Sequence, residues 1–578
     1  MVNSDFVRLL RKAADALEIE GVDWKPQAYR KAASSIESLR SPLESIYETG
    51  GIKALESVPG VGPAIALHIV EYLKTSKVKK WEILFKKVPV SSTELLSIQG
   101  LGPKRIQLLD KKLGITSVSE LKKALKKNKL RKLPGFGAKL EQILKKSLSL
   151  YSRGHNRLLI DEASNLASEV LVYLKRNANV KHLVVAGSIR RMEETIGDID
   201  VLAQSENPLK SMKLFAGMPS VSRVLLTGPT KTSVVLHNGV QVDLRIIAPK
   251  SYGAALLYFT GSKEHNIALR KIAIRKGYKL SEYGIYKQKR FLSRPSLKES
   301  GIYSFLGMQY IPPELRTMHG ELDAAQKHSL PGLVRLQDIR GDLHMHTTYS
   351  DGAESVDAMV RSAIEHGYEY IAITDHSPSQ TIANGLSIER LKEQHREIDK
   401  ARKKYSGKIK ILKGAEIDIL KDGSLDYPDS ILKTLDIRVC AVHSSLRMSR
   451  EQMTERICTA LNNPYLDILA HPSGRILKKR PESAINFSKV FETALENRKV
   501  LEINSQPSRL DLSSSNVFKA HDQNILFSVD TDAHASSQLD YMRFGVGIAR
   551  RGWLSKRSIV NTSSFSGLKK LFRNISIS

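Results

Sequence analysis

The sequence predicts a multidomain fold with three architectures in succession: an α-helical first third, an α+β middle and a C-terminal α/β distorted (β/α)7 barrel. Three observations predict it. The 578 residues far exceed the roughly 250–300 at which a single hydrophobic core stops growing. Residues 4–150 read as helices broken by repeated Gly-x-Gly turns. From residue 340, apolar strand-like runs recur at intervals of roughly 30–40 residues, each followed by a helical pattern, which is the spacing of βα units. An apolar content of 41% is enough for packed domains.

Charge narrows the partner. Lysine and arginine number 90 against 60 acids, a net charge of +30, with a pI near 9.8. That excess points to a polyanion, nucleic acid first. Only two cysteines occur, Cys440 and Cys458, which argues against a disulfide framework and fits a reducing compartment. Met1-Val2-Asn3-Ser4-Asp5-Phe6 holds no apolar signal core, and no run approaches about 20 apolar residues. The expectation is a soluble, cytoplasmic monomer without a membrane partner.

Within the first third, Val58-Pro59-Gly60-Val61-Gly62-Pro63, Ile98-Gln99-Gly100-Leu101-Gly102-Pro103 and Leu133-Pro134-Gly135-Phe136-Gly137-Ala138 repeat one pattern between helices. Such a turn aims backbone N–H groups, at a helix N-terminus, toward a phosphate. One match is an ordinary turn. Three in a basic segment resemble helix-hairpin-helix motifs, which hold the DNA backbone without reading sequence. That resemblance implies backbone contacts at Gly60, Gly62, Gly100, Gly102, Gly135 and Gly137, with salt-dependent grip from Lys104 and Lys139. Residues 1–85 are expected as one helical domain and 86–152 as a second.

Trp24-Lys25-Pro26-Gln27-Ala28-Tyr29-Arg30 resembles the small N-terminal domain of family X DNA polymerases, which implies a 5′-phosphate site at Lys25, Tyr29 and Arg30. Some members remove deoxyribose phosphate there through a Schiff-base lysine. That position is His68 here, and a supporting lysine is Ala64. Imidazole cannot form the required iminium, so His68 reads as an ordinary helix-face histidine.

The middle is organised around Gly187-Ser188-Ile189-Arg190-Arg191 and Gly197-Asp198-Ile199-Asp200-Val201, after the apolar run His182-Leu183-Val184-Val185-Ala186. Gly-Ser after a strand lets the backbone approach a phosphate, and Arg190 and Arg191 follow in reach of the same anion. Strand alternation puts Asp198 and Asp200 on one face, Ile199 and Val201 on the other. Asp243 sits on another alternating strand, returned by the Asn238-Gly239 hairpin signal. Three strand acids can hold two metals, Mg²⁺ or Mn²⁺. The spacing resembles the palm of the nucleotidyltransferase superfamily and of family X DNA polymerases. The resemblance implies catalysis at Asp198, Asp200 and Asp243, and triphosphate binding at Gly187, Ser188, Arg191 and Gly197. It implies a nucleotide-selecting segment at Tyr258, Phe259 and Gly261. Asn266 and Arg270 fall on positions like the family's minor-groove contacts. The palm is expected over 153–250 and the thumb over 251–310. Tyr258 or Phe259 either packs under the sugar or fills the core. The family's arginine near the third acid is Gln241 here.

Residues 311–339 read as a linker, from Pro312-Pro313 and Pro331-Gly332. Beyond it, over 340–578, the strand-like runs end at His344-Met345-His346, Thr374-Asp375-His376, Ala415-Glu416, Val442-His443, Ala470-His471, Ile503-Asn504 and Asp530-Thr531-Asp532-Ala533-His534. Parallel barrel strands end on one face, so six histidines and the acids converge with Asp351. Histidine with carboxylate suits Zn²⁺ or Mn²⁺. His366, His395 and His521 fall in helices or loops and read as surface residues. Arg475 either contacts a substrate phosphate or is a loop arginine. The pattern resembles the PHP (polymerase and histidinol phosphatase) domain. The resemblance implies a site for up to three ions at His344, His346, Asp351, His376, Glu416, His443, His471, Asp532 and His534.

Family X polymerases of bacteria and archaea carry these parts in this order. The expected function is gap-filling DNA synthesis in repair from dNTPs on gapped or primer-template DNA. A Mn²⁺-dependent 3′→5′ exonuclease, with cutting at abasic sites, is expected in the PHP domain. Two alternatives are a PHP phosphatase of small molecules and a non-catalytic DNA-binding scaffold.

Overall fold

The computed structural model describes residues 2–37, 43–88, 92, 94–98, 101–127, 129–137, 140–145, 147–148, 157–288, 290–292, 296–572 and 575. Gly100 and Lys139, two of the expected DNA contacts, lie outside them.

The first region is helical. Its helices include Val2–Glu20, Lys25–Glu37, Pro63–Thr75, Pro103–Leu113 and Val118–Lys126. Pro63 and Pro103 stand at the first helical turn, where a missing N–H costs nothing. One continuous core runs from Phe6 to Leu148, so the expected boundary at residue 85 does not separate two cores.

The palm is a five-stranded sheet. Its strands are β1 (Val180–Val185), β2 (Asp198–Ser205), β3 (Val221–Thr227), β4 (Lys231–Leu236) and β5 (Gln241–Ile246). They run in the order β1-β2-β5-β4-β3. Only β2 and β5 are parallel, and their register sets Asp200 directly opposite Asp243. The Asn238-Gly239 turn joins β4 to β5 as expected, with the Asn238 side chain accepting from the Val240 N–H at 3.1 Å. Ile199 and Val201 are fully buried beneath the acids.

The thumb follows with helices Tyr252–Thr260, Lys263–Arg275 and Glu299–Phe305. Its small antiparallel sheet is β6 (Tyr278–Ser281), β7 (Gly284–Lys287) and β8 (Arg290–Leu292). The stretch expected as a linker is folded instead. Ile311, Leu315, Leu322, Ala325 and Leu330 sit in the thumb core. Buried Arg316 pairs with Glu299 at 2.8 Å, and Glu321 with His265 at 2.8 Å. The prolines punctuate that segment but do not release it, because its apolar residues, the buried Arg316–Glu299 ion pair and the buried His265–Glu321 hydrogen bond anchor it.

The last region is the expected barrel. Strands β9 (Gly341–Asp342), β10 (Tyr370–Ile373), β11 (Lys410–Asp418), β12 (Ile437–Ala441), β13 (Ile468–Leu469), β14 (Val500–Asn504) and β15 (Phe527–Asp530) pair in sequential order, all parallel. A parallel bridge between Met345 and Ala533 nearly closes the ring. Period-2 alternation divides the cores: Ile371 and Ile373 join one cluster, Tyr370 and Ala372 the other with Val560, Leu568 and Phe572.

Among the described residues no helix is long and apolar enough to cross a membrane.

Candidate active sites

Two sites form, one in the palm and one at the barrel's C-terminal face. The palm site is a cavity of about 560 Å³ lined by Gly187, Ser188, Arg191, Asp198, Asp200, Tyr258, Phe259, Gly261, Asn266 and Arg270. Sequence reasoning named all of these. Gly197 lies just behind, against Arg157. Arg157 and Lys263 also line the cavity and were not foreseen.

Gly187 opens the short turn Gly187–Arg190 with φ 59, and a Cβ there would stand 2.5 Å from Asp200 Oδ2. Only glycine fits between strand end and carboxylate. The two arginines part company. Arg191 lines the cavity, held by the Thr260 carbonyl oxygen and by Glu193 at 3.2 Å. Arg190 turns to the thumb, where Glu299 receives it in a two-pronged pair at 3.0 and 2.7 Å. Arg190 is therefore a structural tie, not the second anion ligand the sequence suggested. Asn266 donates to the Tyr258 carbonyl oxygen at 2.7 Å, and the Arg270 guanidinium lies 4.9 Å from the Tyr258 ring centre.

The electrostatics fit a cation. Burial, then Asp198 and Asp243, push the Asp200 carboxyl up to about 6. Three acids on adjacent strands carry more negative charge than their surroundings balance, which is the condition a divalent cation relieves. Asp243 differs. Burial would raise it, but Lys231 at 2.6 Å and Gln241 at 3.0 Å hold it below its ordinary value. Gln241 thus keeps the hydrogen bond that the family's arginine would make, and Lys231 from β4 supplies the charge. A proton competes with metal at Asp200. Lowering the pH below about 6 is therefore expected to weaken divalent-cation binding at these acids, by roughly tenfold per pH unit for one competing proton. Calorimetric titrations with a divalent cation at about pH 5.5 and 7.5, with Asp200→Asn as the reference, check this.

At the barrel face all nine expected ligands converge. Glu416 is central, with His376 and His471 at 2.8 Å, His443 at 3.2 Å, His346 at 3.4 Å and His344 at 3.5 Å. Asp532 lies 3.2 Å from His346, and Asp351 3.4 Å from His534. Three groups have ligand atoms within 4.8 Å of one another: His346, Asp351, His376 and His534; His344, His346 and Glu416; His376, Glu416 and His443. These donors suit a multinuclear metal centre.

Two carboxylates that sequence reasoning missed aim the histidines. Glu502 meets His344 Nδ1 and Asp418 meets His443 Nδ1, each at 2.6 Å. Both leave Nε2 facing the cluster. The signal was present, since Asp418 stands two residues after Glu416 on one strand and so shares its face. Burial opposes protonation of His443 and His534. Glu416 and Asp418 nevertheless raise His443 to about 9, and Asp351 and Asp532 raise His534 to about 10. Burial and Arg509 lower His471 to about 3. His395 is not a surface residue: burial, then Lys413, lower it to about 4. Arg475 lies in a loop, as one of its two readings had it, and is buried against Glu194 of the palm at 2.9 Å.

The cluster opens into a groove of about 720 Å³ whose opposite wall is the first domain, with Trp24, Gln27 and Lys31. Trp24 is 83% exposed. Of the three expected 5′-phosphate residues, Lys25 is exposed. Tyr29 belongs to the core beside Trp81, and Arg30 is held by Asp15 at 2.7 Å and by Glu18. His68 packs on Trp81 at 5.3 Å between ring centres, as the helix-face reading held. Gly62 and Gly102 are the N-caps of their helices without side-chain caps, and Lys104 is exposed beside the second. Gly60, Gly135 and Gly137 are exposed in their turns.

The chain matches four protein families. They are a helix-hairpin-helix domain over residues 1–78, a SAM-like helix-hairpin-helix tandem over 92–149, the DNA polymerase beta thumb over 255–317 and the PHP domain over 342–506. It is 35% identical over 576 residues to the DNA polymerase/3′-5′ exonuclease PolX of Bacillus subtilis (strain 168), covering 99% of this chain and 100% of the relative. It is 26% identical over 345 residues to DNA polymerase lambda of Rattus norvegicus, covering 54% and 56% respectively. A probable phosphatase of Thermoanaerobacter sp. (strain X514) is 30% identical over 236 residues, 38% of this chain and 89% of the relative.

Proposed function

This chain belongs to the family X DNA polymerases, and on that premise we propose how its two centres divide the chemistry. It is a DNA-directed DNA polymerase that also carries a PHP-domain 3′-5′ exonuclease, and its substrate is DNA.

In the palm, Arg191, Ser188 and the Gly187 backbone receive the triphosphate of a dNTP. Tyr258 and Phe259 lie under its sugar, while Asn266 and Arg270 face the minor groove of the nascent pair. Asp198, Asp200 and Asp243 are the residues that would hold Mg²⁺ or Mn²⁺. Such cations supply the positive charge that favours attack of the primer 3′-hydroxyl on the α-phosphate, with pyrophosphate leaving. The observation carrying this reading is the parallel register that sets Asp243 beside Asp200, which with Asp198 lines the Arg191 cavity.

At the barrel, the nine ligands would hold up to three ions, Mn²⁺ or Zn²⁺, which supply Lewis acidity at a phosphodiester. Glu502 and Asp418 fix the histidine tautomers. A single-stranded 3′ end enters along the groove past Trp24 and Lys31, and abasic sites are cut at the same centre. The helix-hairpin-helix turns and Lys104 hold the backbone of gapped DNA, and Lys25 faces its 5′-phosphate. The protein works as a cytoplasmic monomer in base excision repair, a setting that suits its DNA substrate and two free cysteines.

One time course tests the assignment. A 5′-labelled, one-nucleotide-gapped DNA is incubated with Mg²⁺ or Mn²⁺, with and without dNTPs. Extension with dNTPs and stepwise shortening without them is the expected result. Binding with neither change would return the scaffold reading, and turnover of a phosphate monoester alone the phosphatase reading.

A further inference from the structure

The segment Arg191 to Glu194, which carries the cavity's arginine, is held by the barrel domain. Arg551 ends the helix Met542–Arg551 and donates to the Arg191 carbonyl oxygen at 2.8 Å. It also lies 3.5 Å from Glu193 Oε1. That same carboxylate oxygen receives the Arg191 guanidinium at 3.2 Å. One side chain of the barrel domain thus steadies both the backbone of Arg191 and the carboxylate that orients its side chain. Next along, Met192 adopts φ 53 and packs on the helix at Gly547, where a Cβ would stand 2.9 Å from the Met192 Cβ. Arg475 closes the segment through Glu194 at 2.9 Å and ties it to the Arg509 carbonyl oxygen, also at 2.9 Å.

None of Arg551, Gly547 or Glu193 belongs to the barrel's metal cluster, and Arg551 and Gly547 lie outside the palm. Their shared effect is to fix a guanidinium. A phosphate-binding arginine pre-set in position loses less freedom when its ligand arrives, and small misplacements there are costly.

We propose that Arg551 is a positioning residue of the polymerase centre, so that the exonuclease domain sets nucleotide affinity through Glu193 and the Arg191 backbone. The proposal rests on Arg191 being the triphosphate ligand. Steady-state extension of a gapped DNA by R551A, R551K, G547A and R191A tests it, with exonuclease activity measured in parallel. R551A is expected to raise the dNTP KM roughly three- to thirtyfold, the range of coupling through packed contacts, with kcat and exonuclease within about twofold. G547A displaces Met192 and shifts KM in the same direction. R551K keeps a cation facing Glu193 and recovers most of the loss. An unchanged dNTP KM in both R551A and G547A overturns the proposal. So does an equal fall of extension and exonuclease in both, which would make Arg551 a part of the scaffold only. If R191A itself leaves the dNTP KM unchanged, the underlying assignment of Arg191 fails instead.

Discussion

Asp200→Asn abolishes primer extension while exonuclease activity and gapped-DNA binding persist. The side chain keeps its shape but loses its charge, at the position facing Asp243 across parallel strands. Its carboxyl is pushed up to about 6 by burial and two neighbouring acids, so near neutral pH it is ionised and offers a cation a charge that asparagine lacks. Without that charge the cation has two carboxylates where the site was built for three. The expected loss in kcat is on the order of 10³-fold or more, about 4 kcal/mol of transition-state stabilisation. Single-turnover extension measures it. Retention of more than about a tenth of the wild-type rate would remove Asp200 from the chemistry.

His346→Ala has the mirror effect: the exonuclease is lost and extension remains. Of the three ligand groups two share His346, so one substitution opens both. Loss by roughly 10³-fold is expected, beyond the 10–100-fold typical of removing a partner that merely aims a ligand. Glu502→Gln supplies that contrast, since Glu502 meets the far nitrogen of His344 with one oxygen and accepts from the His471 N–H and the Asn504 amide with the other, and is not itself among the expected ligands. Degradation of a 5′-labelled single strand in Mn²⁺ separates the three proteins. Equal rates for wild type and His346→Ala would place the nuclease elsewhere.

Both centres were legible in sequence for the same reason: their residues lie on strands or at strand ends. Period 2 alone put Asp198 with Asp200, and the strand-end rule gathered ligands spanning His344 to His534. What sequence hid depends on contacts between distant segments. Arg190 and Arg191 are neighbours, yet Glu299 captures the first and leaves the second to the cavity. Arg475 was left between a phosphate contact and a loop arginine because its partner, Glu194, is in another domain. Tyr29 looked like a phosphate ligand by its motif, but Trp81 and the helical core claim its ring. The supposed linker failed on the same ground, since proline and glycine mark turns and say nothing of what the intervening apolar residues reach.

That folded segment has a consequence for how DNA passes between the two centres. Glu314 in it pairs with Arg550 of the barrel at 2.8 Å, and Val334 exchanges a backbone hydrogen bond with Leu554 at 3.0 Å. The palm adds its own ties through Arg551 and Arg475. The two catalytic centres are therefore fixed points on one frame, and the nucleic acid is the moving part. A 3′ end that leaves the palm for the barrel must unpeel and travel, or let go and be recaptured. On the proposed role of the helical hairpins as the DNA grip, the balance between synthesis and trimming then also depends on how long they hold the DNA between turnovers.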